Sequence, residues 1–336
     1  MVNLALIGMG LVGSQVLKII EKNLQKYKDQ YNIDFNFTAI FEYDGALISD
    51  AGISVSEVLG SHNFRDLDYW KPGVQAIEAI PDTKADIIID ATPVNPDTGE
   101  PALSHILKAL KSKKHVVTSN KGPFYLAYEN IKEIAEKNGV SFGFESTVGS
   151  AVPCLGIRDS LAGNKIKKIV GVLNGTSNYI LNRMTSEGIS FNLALQEAQE
   201  NGYAETDPTL DIEGYDAAGK LVILANHLLG WNKTIKDVKI SGITKVNEDM
   251  ISLAKKSHME IKHLAVAKDG ELEVSLKLIP ENSALALGGT LNGVYLDTEL
   301  AGEIIITGRG AGGSEAAAGI ISDVINISRR YLLADT

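Results

Sequence analysis

Between Glu205 and Lys220 the chain reads ETDPTLDIEGYDAAGK, which sets Glu205, Asp207, Asp211, Glu213 and Asp216 ahead of one lysine. Carboxylates crowded in this way can anchor an amino group. A lysine among them can give a proton to an oxygen that becomes an alkoxide during hydride reduction. Asp216 and Lys220 stand four apart, so on a helix they share one face, with Leu221, Leu224 and Leu228 on the other side. By composition alone the simpler reading is a surface Asp–Lys pair worth about 0.2–0.5 kcal/mol beside a solvated acidic loop. A cleft that set Lys220 beside Glu205 and Asp216 would instead make a charged donor with two anchors. Spacing does not decide between them.

A second chemistry stands at the start of the chain. Gly8, Gly10 and Gly13 form GxGxxG between the apolar run Val2 to Ile7 and the helically spaced Val12, Val16, Ile19, Ile20 and Leu24. The first glycine permits a tight turn, the second lets backbone approach a pyrophosphate, and the third lets helix and strand pack closely. Leu11 and Val12 then open the helix whose amides would face the phosphates. An acid closing the second strand usually accepts from the ribose 2′-hydroxyl. Glu42 and Asp44 are the candidates. Such an acid repels a 2′-phosphate and favours NAD over NADP, although both residues also suit a solvated turn. Thr92 and Pro93 (DATP), and Ser119 and Asn120 (TSNK), end later strands where a ligand meets the carboxyl edge of a parallel sheet. A second glycine cluster, Gly308, Gly310, Gly312 and Gly313, opens another helix without the GK[ST] ending of an NTP-binding loop.

These residues need elements to hold them. Beyond the first strand and helix, Phe37–Phe41 and Asp86–Ala91 read as strands and Leu103–Leu110 as a helix. The basic Lys111, Lys113, Lys114 and His115 read as cations at its C-terminus. Strands at Val116 and Val117 and at Val140–Phe144 enclose a helix near Asn130–Lys137. Strand and helix in alternation predict an α/β, Rossmann-type, doubly wound parallel sheet. From about residue 150 the pattern changes to a strand at Lys168–Leu173, several helices including one around Asp216–Leu229, and a hairpin turning at Asp269–Gly270. The expected division is a dinucleotide-binding domain of residues 1–149 plus 308–336, with the last helix returning to it. A second α+β domain of 150–307 would handle substrate, catalysis and dimerisation. The apolar segments LNGVYL and LKLIP suit a sheet continuing across a two-fold axis.

Composition narrows the partners. The chain has 336 residues, 44% of them hydrophobic, one cysteine and a net charge of −10. Such a balance excludes disorder and a disulfide scaffold, and argues against nucleic acid or an anionic membrane as partner. No apolar run reaches 18 residues and no signal peptide precedes the glycine turn, so a cytoplasmic protein acting on a small molecule is expected. The six histidines, His62, His105, His115, His227, His258 and His263, stand in helical or polar contexts without a partner pattern and read as ordinary residues.

TSNKGPF at 118–124, ESTVGSAVPCLGIRDSL at 145–161, NGTSNYIL at 174–181, AETDPTLDIEGYDAAGKL at 204–221 and GRGAGGSEAAAGIISDVI at 308–325 follow the GxGxxG in order. Together they resemble homoserine dehydrogenase, in its short form without an aspartate kinase region or ACT domain. The resemblance implies hydride transfer between NAD(P)H and L-aspartate 4-semialdehyde, giving L-homoserine. It implies that Lys220 donates the proton and that Lys121 positions substrate and nicotinamide. Glu205 and Asp216 would hold the substrate amino group or orient the lysines, with Asp211 close by in the substrate site. Gly175 and Thr176 would contact substrate, and Gly312 the cofactor. It further implies a homodimer and a monovalent cation site at Glu145 with the carbonyls of Val148, Ser150 and Val152, where hard oxygen ligands fit sodium better than zinc. The rivals are an aldehyde-oxidising dehydrogenase using Cys154, a silent NAD-binding sensor, and an aspartate-type amino acid dehydrogenase.

Overall fold

The computed structural model describes residues 1–332. They fall into two compact units, Met1–Ala151 with the segment from Gly312, and Val152–Ala311.

In the first unit seven strands, β1 (Val2–Ile7), β2 (Phe35–Glu42), β3 (Gly45–Ile48), β4 (Trp70–Pro72), β5 (Ile87–Asp90), β6 (His115–Thr118) and β7 (Phe142–Gly143), stand in the order β4-β3-β2-β1-β5-β6-β7. The pairs among β2, β1, β5, β6 and β7 are parallel, whereas β3 and β4 add on antiparallel. Sequence reading missed both added strands because they are short and lack a periodic pattern. Helices α1 (Leu11–Tyr31), α2 (Ala102–Lys111) and α3 (Gly122–Asn138) connect the parallel strands. Parallel strands covered on both faces read as near-continuous apolar runs, as VNLALI and IIID do. Leu4, Leu6, Val16, Ile20, Ile87 and Ile89 form the core, completed by Ala317, Ile320 and Val324 of the C-terminal helix Gly313–Ile327.

Three readings need correction here. Helix α3 begins at Gly122, not near Asn130, and β7 is shorter than expected. The aromatic GPFYLAY stretch has little helical periodicity, but Phe124 stacks on Phe144 at 4.5 Å between ring centroids and packs on Phe142. That burial outweighs the weak local preference. Lys114, read as one of the cations at a helix C-terminus, is buried with its ammonium on the carbonyls of Thr83 (2.7 Å) and Ala85 (3.0 Å).

The second unit holds β8 (Ile166–Val172), β9 (Val238–Ile240), β10 (Met259–Lys268), β11 (Glu271–Pro280), β12 (Leu291–Thr298) and β13 (Glu303–Arg309), ordered β13-β12-β8-β10-β11-β9. Asp269 and Gly270 turn the β10–β11 hairpin with φ of 51° and 82°, both in the left-handed region that an Asp-Gly turn supplies. Strand β12 contains LNGVYL and is paired on both sides, so it cannot itself extend the sheet across an axis. Helices α4 (Gly175–Glu187) and α5 (Tyr215–Leu229) belong to this unit. Residues 216 to 226 of α5 are all buried, the mark of a helix enclosed on every side. No helix among the described residues is long and apolar enough to cross a membrane.

Candidate functional site

The glycine loop of the first unit lies at the carboxyl ends of β1, β2 and β5. Gly8 turns with φ of 89°, donates to the carbonyl of Phe41 at 2.9 Å, and a Cβ there would meet the Ala91 carbonyl oxygen at 3.0 Å. A Cβ on Gly13 would overlap the carbonyl oxygen of Gly8. Around Gly10 nothing lies within 4 Å of such an atom, so this backbone faces open space at the helix N-cap. Tight packing behind the loop and room in front of it suit a pyrophosphate on the α1 amides.

The two acids after β2 have different partners. Glu42 accepts a short hydrogen bond from the Met9 amide, on the glycine loop itself. Asp44 is clasped by Arg65 through Nε at 2.7 Å and an Nη at 2.9 Å, which holds its carboxyl below the usual range. Sequence reading left Arg65 out because it comes from a turn 21 residues further on.

At the ends of β5 and β6 a buried network sets the loops. Asp90 accepts from the Thr92 hydroxyl at 2.6 Å and lies 2.9 Å from His105 Nδ1. Asn120 donates to the carbonyls of Thr92 (3.1 Å) and Pro93 (3.0 Å) and accepts from the Gly122 amide. The Ser119 amide donates to the Asp90 carbonyl at 3.4 Å, and Lys121 is the residue preceding α3. His105 was read as ordinary, yet it braces this network. No sequence spacing joins it to Asp90.

In the second unit Lys220 and Asp216 are both buried, their Nζ and Oδ2 2.9 Å apart, so the surface-pair reading does not hold. Lys220 also donates to the Leu173 carbonyl at 2.9 Å. Asn174, the N-cap of α4, donates from one amide to Asp211 (2.6 Å) and Asp216 (2.9 Å). Burial first, and then the Asp216 charge, push the Asp211 carboxyl up; bonds from Asn174 and Thr176 offset part of that shift. Thr176 donates to the Tyr203 carbonyl at 2.7 Å, and Gly175 opens α4 beside it. Glu205 is apart from this group. It is exposed, and its carboxylate makes no hydrogen bond or ion pair with the described residues. Three of the histidines are held towards the neutral form: burial lowers His115 and His263, and takes His227 to about 4. Cys154 is a buried thiol, which does not suit an exposed nucleophile.

Two family models match the chain: the homoserine dehydrogenase NAD-binding domain over residues 8–145, and homoserine dehydrogenase over 154–325. The chain belongs to the homoserine dehydrogenase family. A homoserine dehydrogenase of Methanocaldococcus jannaschii is 43% identical over 97% of this chain and 98% of its own. An NAD(+)-dependent homoserine dehydrogenase of Pseudomonas canavaninivorans is 35% identical over 96% and 95%. A hyperthermophilic archaeal homoserine dehydrogenase solved with NADPH superposes with a TM-score of 0.84 at 25% identity, covering 98% of each chain.

This homoserine dehydrogenase chain is thus an NAD(P)-dependent oxidoreductase acting on a CH–OH group. Gly312, with φ of 129°, caps the C-terminal helix, and a Cβ on Gly313 would press on the side chain of Leu11 at 2.9 Å. Gly313 therefore comes up against the start of α1. Glu145, Val148 and Ser150 are buried around a short turn of the first unit, while Val152 begins the second. Asp323, which sequence reading missed, accepts from the Glu145 amide at 2.8 Å; burial, with the Glu145 charge adding to it, pushes its carboxyl up to about 7.

Proposed function

We propose that Lys220 is the group that protonates the carbonyl oxygen of L-aspartate 4-semialdehyde and, in the reverse direction, accepts the hydroxyl proton of L-homoserine. The nicotinamide, when bound, supplies or takes the hydride. In reduction the aldehyde carbon gains that hydride and its oxygen takes a proton from Nζ. Lys220, left as a neutral amine, is then reprotonated from solvent. One observation carries the reading: two N–H groups of a buried ammonium are engaged by Asp216 and the Leu173 carbonyl, leaving a third for a ligand oxygen. The experiment is the rate of homoserine oxidation by Lys220→Ala, argued in the Discussion.

Asp211 and Asp216, joined through Asn174, are the anchors for the substrate ammonium in this reading, with Gly175 and Thr176 beside them. Glu205 joins them only if substrate draws its loop in. Asp216→Ala is expected to raise KM for homoserine more than Glu205→Ala does, since Asp216 is buried on Lys220 and Glu205 is exposed. Equal and negligible KM changes in both variants would remove this role.

Gly8, Gly10, Leu11, Val12, Gly13, Thr92, Pro93, Ser119, Lys121 and Gly312 make up the cofactor side of the proposal. Glu42 is the acid at the ribose, and Asp44 is neutralised by Arg65. NAD is accordingly the better cofactor, and Glu42→Ala should shift the ratio of kcat/KM for NAD over NADP by about tenfold towards NADP, roughly 1.4 kcal/mol. A wild-type preference for NADP would show that Glu42 is not at the ribose.

A homodimer formed through the second unit completes the proposal. Strand β13 is a sheet edge with Ile305 partly exposed, so the sheet has a free side for a second copy. The two buried acids, Glu145 and Asp323, give a reason for a sodium ion nearby, with Val148, Ser150 and Val152 offering carbonyls. Light scattering should give twice the 36.0 kDa chain mass. The melting temperature should be higher in sodium chloride than in choline chloride at equal ionic strength. An active monomer, or equal melting in both salts, would remove the respective part.

A further inference from the structure

The Leu173 carbonyl, just beyond β8, accepts two hydrogen bonds: one from Lys220 Nζ at 2.9 Å and one from Asn292 Nδ2 at 2.9 Å. A carbonyl oxygen has two lone pairs, so both are filled. Asn292 lies on β12, the strand paired with β8, and its side chain is buried. Its Oδ1 is buried without a hydrogen-bond partner among the described residues. The amide cannot be turned over to relieve this, because Oδ1 would then oppose the Leu173 oxygen. A buried acceptor left in this way destabilises the fold, a cost that an apolar side chain of the same size would not incur. The surrounding backbone also makes room for it. A Cβ on Gly310 would overlap the Asn292 amide, and a Cβ on Gly175 would lie 3.7 Å from Oδ1.

We infer that Asn292 is a positioning residue for Lys220: its amide pins the Leu173 peptide whose carbonyl, with Asp216, fixes the direction of Nζ. The inference rests on Lys220 as the proton-transferring group. Among the described residues only the donor end of the Asn292 side chain has a hydrogen-bond partner, and that partner is the lysine's own acceptor. Without the amide the Leu173 peptide is free to tilt, and Nζ moves with it. A displacement of about 1 Å in a reacting group can cost roughly 100-fold in rate.

The test uses the full-length protein with Asn292→Leu, which fills the space without a donor, and Gly310→Ala, which pushes the Asn292 amide aside while keeping it. Homoserine oxidation, thermal unfolding and the solvent deuterium isotope effect on kcat are measured for each. Asn292→Leu should lower kcat by about 10- to 100-fold with KM for homoserine little changed and the melting temperature equal or higher. Its isotope effect should rise, because a misdirected proton transfer becomes slower than the other steps; a structural residue would leave that effect alone. Gly310→Ala should give the same kcat and isotope pattern, which keeps the test open if the leucine variant fails to fold. Values of kcat within about threefold of the parent would overturn the inference, as would a loss of kcat matched by a fall in melting temperature with no change in isotope effect. An active Lys220→Ala enzyme would instead overturn the reading beneath it.

Discussion

Lys220→Ala is expected to lower kcat for homoserine oxidation by about 10²–10⁴-fold, the usual contribution of a positioned proton donor or acceptor. NAD affinity should survive, because Lys220 lies in the second unit and the glycine loop in the first. The ammonium is buried and held at 2.9 Å by both Asp216 and the Leu173 carbonyl, so its removal takes one partner from Asp216. Some loss of stability will accompany the substitution, since stripping one partner from a buried pair leaves an uncompensated charge. Lys220→Met, similar in length and uncharged, separates the two effects when made together with Asp216→Asn. If that double variant melts like the parent and still turns over within about tenfold of it, Lys220 is a structural lysine.

Gly13→Ala is expected to cost both folding and cofactor binding. The added Cβ overlaps the carbonyl oxygen of Gly8, so the obstacle is backbone and no rotamer can relieve it. Either α1 or the glycine loop must move, at an overpacking cost of about 1–3 kcal/mol. At roughly 2–4 °C for each kcal/mol the melting temperature should fall by several degrees. NAD affinity should fall at least about tenfold, because the amides that receive the pyrophosphate move with the loop. Gly10→Ala is the control. Its Cβ meets nothing within 4 Å and its φ of −72° suits alanine, so the fold should be untouched while the approach of a phosphate is blocked. Calorimetric titration with NAD and a thermal melt of each variant check both statements. Parent-like NAD binding by both variants would mean the loop holds no pyrophosphate.

Much of the first unit was legible in advance because local pattern and tertiary role agree there. A near-continuous apolar run, a GxGxxG and a helical repeat each predict the element they form, so β1, the loop and α1 follow from residues 2–31. The Asp269–Gly270 hairpin was legible for the same reason. Agreement fails at α3, where aromatic residues poor in helical signal become helical by stacking on Phe142 and Phe144. It fails again at β3 and β4, which are too short to show a period and exist because β2 offers them an edge.

Residue types and intervals alone determined that a dinucleotide loop stands at Gly8–Gly13, that Glu42 and Asp44 follow β2, and that Asp216 and Lys220 share a helical face. They did not determine solvation. A pair at i and i+4 looks the same on a wet helix and on one enclosed on all sides, and the difference is between a few tenths of a kcal/mol and a buried ammonium with chemistry to do. Only the tertiary structure enclosed α5, brought Asn174 to Asp216 and Leu173 to Lys220 from 42 and 47 residues away along the chain, and set Asn292 on the Leu173 carbonyl from 119 residues away. It also separated Glu42 from Asp44 by giving one to the glycine loop and the other to Arg65. These partners meet because strands distant in sequence are neighbours in a sheet, and periodicity along the chain carries no information about which strands those are.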